Sequence, residues 1–335
     1  MIKLQAPGGI ALAISPRGAT WMSCDVPVGP AGRRDVILRR AASDDKSFLG
    51  STIGRYANRI AHGRIQWQGK QWQLALRAGS PHHLHGGPGG FHARMWEAQQ
   101  PSATEARFTL VSPEGDQGYP GEVHAQVTYR LVDPMTIEMD MRATTTAPTP
   151  LALTNHAYFN LDGHAAGHMG DVRRHALQVQ ASRFTPVDRE LIPLGPLAAV
   201  DRTGFDFRGG KTIQADWLKD DQQQSSQGYD HAFLLDDACA QMRTPAARLT
   251  SSAADLRMTI ATTMPALQFY SGQYLAGTAA PEGPCYPACC AVALEPGFLP
   301  DSPNHPEWPQ PSCWLQPGEL YAHTIRYSFE ALSPR

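Results

Sequence analysis

The sequence predicts an all-β protein, a large antiparallel β-sandwich formed by one domain over residues 1–335. Three observations carry that reading. Apolar residues recur at every second position in several segments, the spacing that lines one face of a strand. Glycine and proline, 30 and 28 of 335 residues, are spread along the whole chain, which shortens elements and favours strands joined by turns. Segments with a helical period are scarce, and no repeat of 20–50 residues is present.

The strands follow in order. Ile65 and Trp67 alternate with polar residues, Gln68-Gly69-Lys70 turns, and Trp72, Leu74 and Leu76 alternate on the far side, which predicts a hairpin. Val123, Ala125, Val127, Tyr129 and Leu131 predict a longer strand. A turn at Asp133-Pro134 follows, and Met135, Ile137, Met139 and Met141 form its return. Leu177, Val179 and Ala181 repeat the pattern, as do Met258 and Ile260. Residues 213–218 predict one or two helical turns, and the polar run QQQSSQ at 222–227 reads as a surface loop.

Composition excludes several function classes. With 42% hydrophobic and 18% charged residues the chain has the material for a core and is not disordered. A net charge of −2 gives no electrostatic footprint for nucleic acid. No apolar run approaches the roughly 20 residues that span a bilayer, so no membrane partner is expected. At the N-terminus Lys3 is a lone charge and Pro7-Gly8-Gly9 interrupts any apolar run, so a secretory signal is not expected. The six cysteines match no paired zinc pattern and read as free thiols, and with the missing signal this makes the cytoplasm the expected location. The cluster Cys285, Cys289 and Cys290 admits a metal or redox reading, but free thiols are the plainer one. Oligomeric state is left open.

Some motifs fail on inspection. Gly209-Gly210-Lys211-Thr212 is half a phosphate-binding loop, and Phe205 stands where the full pattern needs glycine. No nucleophile elbow of the form G-x-S-x-G is present. In His82-His83-Leu84-His85 a strand would place His83 and His85 on one face, but no carboxylate pattern accompanies them, and no metal is expected. Four polar islands inside apolar runs remain: GRYANRI (54–60), LHGG (84–87), LTNHAYFNL (153–161) and LEPG (294–297), the last soon followed by PDSPN (300–304). Fixed donors and acceptors beside glycine and aromatic surface suit a pocket that holds a small sugar.

These islands lie inside longer segments that resemble the aldose 1-epimerase (galactose mutarotase) family almost end to end. The segments are FLGSTIGRYANRIAHGRI (48–65), LHGGPGGFHARMW (84–96), LTNHAYFNLDGH (153–164), RFTPVDRELIPLGPL (183–197), GFDFR (204–208), GYDHAFLL (228–235), QFYSGQYL (268–275), LEPGFLPDSPNHPEWPQP (294–311) and LQPGELYAHTIRYSF (315–329). The resemblance implies the mutarotase-like supersandwich fold and interconversion of the α and β anomers of free aldoses of the glucose and galactose type. That chemistry requires no cofactor: a base removes the C1 hydroxyl proton while an acid protonates the ring oxygen.

The resemblance implies Glu295 as base and His156 as acid. Between Ala293-Leu294 and Pro296-Gly297, Glu295 is expected to be partly buried, which raises a carboxyl toward neutrality. His156 needs its imidazolium favoured, and a nearby carboxylate would do that. His85 matches a second catalytic-site histidine that bonds the sugar or its ring oxygen. Asn58, Arg59, Asp230 and Gln268 match substrate-binding positions, and His231 reads as structural. The chain departs from the family pattern at His82, at Pro296-Gly297 and at Gly272-Gln273, each a candidate to reshape the rim of the sugar site. Two other readings stand beside the enzyme: a non-catalytic sugar-binding or sensor protein on the same scaffold, and a metal-dependent enzyme built on the histidine and cysteine clusters.

Overall fold

A computed structural model describes residues 1–333 except 30–31, 42–43, 45–46, 166–167 and 282–284. Most of the alternating segments enter a nine-stranded antiparallel sheet, whereas the hairpin at 64–73 stands apart as a two-stranded one. Val123–Asp133 and Thr136–Thr145 pair as a hairpin, and the second pairs onward with Tyr321–Ala331, which in turn pairs with Leu256–Thr262. Along the first strand Val123, Ala125, Val127, Tyr129 and Leu131 all turn inward, as period two requires. A six-stranded sheet lies over the same core, in the order Tyr158–Phe159, Val292–Gly297, Ala266–Tyr270, Asp230–Leu234, Arg183–Phe184, Ala198–Ala199. Its inward residues Phe159, Leu294, Phe269 and Phe233 share one buried cluster with Met139, Met141, Ile260 and Tyr327 of the larger sheet. Two sheets with a common apolar interior make the sandwich that the sequence predicts.

Local expectations hold with three differences. The hairpin Arg64–Trp67 and Lys70–Gln73 forms, and its two turn residues, Gln68 and Gly69, both take positive φ (48° and 80°), the twist that suits a two-residue turn. Its second strand stops at Gln73, so Leu76 falls outside the alternation and is 39% exposed. The turns expected over 213–218 are one 3-10 turn, Ile213–Asp216. The run at 222–227 is not simply a surface loop: Asp221–Ser225 is a short α-helix, capped by the Asp220 side chain accepting from the Gln222 N–H. Gln223 is fully buried and donates from Nε2 to the Tyr229 hydroxyl at 3.1 Å. Composition alone reads such a run as polar surface; the aromatic cluster beneath it draws one glutamine inward. Among the described residues, no helix is long and apolar enough to cross a membrane.

One buried cation ties the segment 54–60 to this frame. Arg55 is 2% exposed and spends its guanidinium on the larger sheet's strand ends. Nε donates to Ser112 Oγ, Nη1 to the carbonyls of Pro120 and Gly121, and Nη2 to those of Ser112 and Pro113, all at 2.7–2.9 Å. A lysine has no such fork. Arg55→Ala leaves these acceptors buried and unpaired, so it is expected to lower stability by about 3–5 kcal/mol. Urea denaturation measures this, and an unchanged midpoint would contradict the assignment.

Candidate active site

The site is built on the outer face of the six-stranded sheet. In the ladder Gln268 lies opposite Glu295 on one side and Ala232 on the other, and Tyr270 lies opposite Ala293 and Asp230. Period two then puts Asp230, Gln268, Tyr270 and Glu295 on one face, and His231, Phe269 and Leu294 on the core face. Tyr158, opposite Ala293, adds its side chain to the site face. A cavity of about 300 Å³ sits above them, at the low end of the range for small-molecule sites.

The facing wall comes from the segments 54–60 and 84–87, which pair through Arg59–Ile60 and His83–Leu84. Their close approach explains the glycines. Gly86 has φ 80°, and a Cβ there would stand 1.7 Å from the Gly54 carbonyl oxygen. Asn58 and His85 also take positive φ, 68° and 51°. The Asn58 N–H donates to His85 Nδ1 at 3.1 Å, and the Arg59 N–H to Asn58 Oδ1 at 2.7 Å. The first bond fixes the tautomer of His85: Nδ1 accepts, so the neutral ring carries its proton on Nε2. Burial, with His156 and Arg59 nearby, holds His85 well below its ordinary value, in keeping with that neutral form.

Six of the seven residues expected at the site line the cavity: Asn58, Arg59, His85, His156, Asp230 and Glu295. Gln268 does not line it. It shares the face of Asp230 and Glu295, its Nε2 donates to Asp230 Oδ1 at 2.7 Å and orients it, and its Oε1 has no hydrogen-bond partner. Arg59 Nη1 lies 3.9 Å from Asp230 Oδ2. His156 Nε2 lies 3.5 Å from Glu295 Oε1, with both side chains 5% exposed. The His156 ring is stacked between Tyr158 (4.8 Å, 16°) and Phe48 (5.9 Å, 10°), which leaves it little freedom to tilt. Phe48, Tyr158, Tyr270 and Tyr274 form the aromatic part of the wall, a contribution the sequence reading did not assign. Tyr158 was findable, because period two along the apolar run 153–161 puts position 158 on the side of position 156.

Electrostatics differ from expectation in one respect. Glu295 is raised well above the ordinary carboxyl range, chiefly by burial and then by the Asp230 charge, as its apolar surroundings suggest. His156 was expected to be held protonated by a neighbouring carboxylate. That carboxylate is present, yet burial dominates and pushes His156 down to about 3. Burial thus favours the neutral imidazole of His156 and the un-ionised carboxyl of Glu295. Asp230 is also raised by burial, opposed by Arg59 and by the Gln268 bond.

The histidine cluster divides. His85 is in the cavity, whereas His83 points away, with Nε2 2.7 Å from the Tyr119 hydroxyl and Nδ1 2.6 Å from the Ala75 carbonyl. His83 and His85 therefore do not share a face; the positive φ at His85 breaks the alternation. His82 Nδ1 accepts from the His62 N–H, and its Nε2 meets Glu190. Among the described residues no three His, Cys, Asp or Glu side chains are grouped to hold a metal. All six cysteines are unpaired; Cys285 is exposed, Cys289 and Cys290 are buried, and the stretch 282–284 before them lies outside the described residues. His231 is buried against Phe205 and accepts the Asp230 N–H on Nδ1, a structural role as expected. None of the departures from the family pattern lines the cavity. Gln273 instead holds the loop before Asp230, donating to the Ser226 carbonyl.

Comparison with known proteins agrees with this geometry. The family model described as aldose 1-epimerase matches residues 1–328. The chain is 43% identical to the aldose 1-epimerase of Escherichia coli (strain K12), covering 99% of this chain and 95% of that one. It is 36% identical to the galactose mutarotase of Homo sapiens, covering 93% and 89%. The crystal structure of an aldose epimerase homologue from C. elegans superposes with a TM-score of 0.88 at 30% identity, covering 99% of both chains.

Burial of the histidines fixes the sign of the acid response. His83 is held at about 4, and His92, His156 and His231 at about 3. As pH falls through about 6.5 the unfolded chain gains these protons and the folded chain does not. The contribution of these rings is therefore full above about 6.5 and declines toward pH 4, by up to about 1.4 kcal/mol per pH unit for each ring. Glu295 and Asp230, both raised, act with the opposite sign, contributing stability at low pH that fades as pH rises. Melting temperatures between pH 7.5 and 4.5 should fall on acidification; a flat or rising midpoint would contradict neutral buried rings.

Proposed function

This chain belongs to the aldose 1-epimerase family, isomerases that interconvert the α and β anomers of free aldoses, and we propose that it does so by proton exchange between Glu295, His156 and the sugar. The observation that supports these roles is the 3.5 Å approach of His156 Nε2 to Glu295 Oε1 inside a buried cavity of about 300 Å³.

The free pair holds one proton. With the sugar seated, the reactive arrangement is Glu295 ionised and His156 protonated, reached by moving that proton from one to the other. Glu295 then accepts the proton of the C1 hydroxyl. The C1–O5 bond breaks, C1 becomes an aldehyde carbon, and His156 delivers its proton to O5. The pair returns to the neutral state that burial favours, so desolvation opposes the ion pair and supports the open-chain intermediate. Rotation about C1–C2 and the reverse transfers close the ring on either face. No net proton enters or leaves, and no oxidant or cofactor takes part.

The remaining residues hold the sugar. His85 donates a hydrogen bond from Nε2 to the ring oxygen or an adjacent hydroxyl. Its Nδ1 faces a backbone N–H, so giving up the Nε2 proton would leave an anion; His85 is thus a donor of hydrogen bonds rather than the acid. Arg59 and the Asn58 amide supply further donors, and Asp230, oriented by Gln268, accepts hydroxyl protons. Phe48 and Tyr158 offer apolar surface to the ring C–H groups. A core shared by both sheets supports the single-domain reading, and the unpaired thiols support a reducing compartment, the cytoplasm.

Polarimetry on fresh α-D-glucose and α-D-galactose, with EDTA present and the spontaneous rate subtracted, tests the roles. Glu295→Gln preserves shape and removes basicity, so kcat should fall by about 10²–10⁴-fold with the fold intact; His156→Asn should fall similarly. Near-normal turnover in either excludes that residue, whereas a wild-type protein that binds the sugars without accelerating mutarotation would favour the binding-protein reading. Arg59→Ala should act chiefly on KM. Since the reactive pair carries one shared proton, activity should be lost as pH rises through the raised Glu295 value, where that proton leaves, and as pH falls toward about 3, where His156 gains a second. A rate flat between about pH 5 and 9 would contradict the two-group mechanism.

A further inference from the structure

Six residues beyond Glu295 the chain turns back beneath the cavity and meets the segment that carries Arg59. The Asp301 N–H donates to the Arg59 carbonyl at 2.8 Å, and Asp301 Oδ1 accepts the Ala61 N–H at 3.0 Å. One residue thus grips the strand edge on both sides of Ile60. The strand Arg59–Ile60 is only two residues long, and its other edge is occupied by His83–Leu84. Asp301 supplies the bonds that a neighbouring strand would otherwise make.

The clamp is itself held. Asp301 is 2% exposed, with a left-handed backbone at φ 58° that Asp, Asn and Gly tolerate best. Asn304 Nδ2 donates to Oδ1 at 2.6 Å, and His305 Nε2 lies 3.5 Å from Oδ2. The other ring nitrogen of His305 lies 2.9 Å from Glu307. Just upstream, the Leu299 carbonyl accepts from the Tyr56 hydroxyl at 2.9 Å and from Ser302 Oγ at 2.5 Å. Asp301 does not line the cavity, so any influence on turnover passes through its neighbours.

We infer that Asp301 is a positioning residue for catalysis: it joins the strand bearing Glu295 to the strand bearing Arg59, and so sets the guanidinium that holds the sugar relative to the base that opens it. The inference rests on the reading of Arg59 as a sugar contact. A carboxylate suits the task because the Ala61 N–H needs a buried acceptor. The geometry matters because a misplacement of about 1 Å between bound substrate and catalytic group costs about 100-fold in rate.

A double-mutant cycle tests this. Asp301→Gly keeps a residue that accepts positive φ and keeps the backbone bond to Arg59, but removes the acceptor for Ala61. Asp301→Asn keeps both the backbone and the Oδ1 acceptor. By polarimetry, Asp301→Gly should lower kcat/KM by about 10- to 100-fold, and Asp301→Asn should restore it to within about threefold. Combined with Arg59→Ala, Asp301→Gly should add less than about twofold, because the two act on one contact. Losses that multiply, normal kinetics in Asp301→Gly, or an Asp301→Asn variant as poor as Asp301→Gly would each overturn the assignment. Asn304→Ala loosens the carboxylate without touching the left-handed backbone. If Asp301→Gly does not fold, Asn304→Ala carries the same test, with an expected loss of about three- to tenfold that is again non-additive with Arg59→Ala. An Arg59→Ala variant with unchanged kcat/KM would instead sink the reading of Arg59 on which the inference rests.

Discussion

The lateral register of three strands, Asp230–Leu234, Ala266–Tyr270 and Val292–Gly297, is the constraint from which the rest of the site follows. Alternation along a strand is rigid, so pairing Gln268 with Glu295 decides which side chains meet above the sheet and which enter the core. A slip of one residue would send Glu295 into the apolar interior and turn Leu294 and Phe269 out to the cavity. The aromatic and aliphatic residues of the inner face resist that slip, because they fill the space against Met139, Met141 and Tyr327 of the other sheet. Core packing and site chemistry are two faces of one ladder.

Burial then sets the chemistry. Two carboxyls and two histidines share a small cavity in which the nearest opposing cation, Arg59, stands 3.9 Å from Asp230. Desolvation is the first cause of the shifts of Glu295, Asp230, His85 and His156 alike, and it favours the neutral form of each. A site that prefers an uncharged acid–imidazole pair suits a reaction whose middle state is an uncharged, open-chain aldehyde. The same preference keeps the exchange internal, since the proton that leaves the sugar at one atom is matched by one that arrives at another.

The wall opposite the sheet is made differently, from tight turns. Asn58, His85 and Asp301 all adopt left-handed backbones without being glycine, and each is tied by hydrogen bonds that keep it there. Such conformations cost energy and persist where surrounding contacts determine them. Here those contacts are supplied by Arg55, which anchors the segment to the larger sheet, by the glycine at 86 that lets two backbones touch, and by the Asp301 side chain.

By itself the sequence determined the strands, the sandwich and the family, because period two and short motifs are local properties read along a few residues. It also marked Glu295, His156, His85, Asn58, Arg59 and Asp230 through those motifs. Tertiary structure alone decided what depends on contacts between distant segments. His83 and His85 part company because one positive φ overrides alternation; Gln268 meets Asp230 because of where a neighbouring strand lies. Gln223 enters the core although its run reads as surface, because Tyr229 waits beneath it. Asp301 grips Ala61 across 240 residues of chain, and no local pattern encodes a bond between positions that only folding brings together.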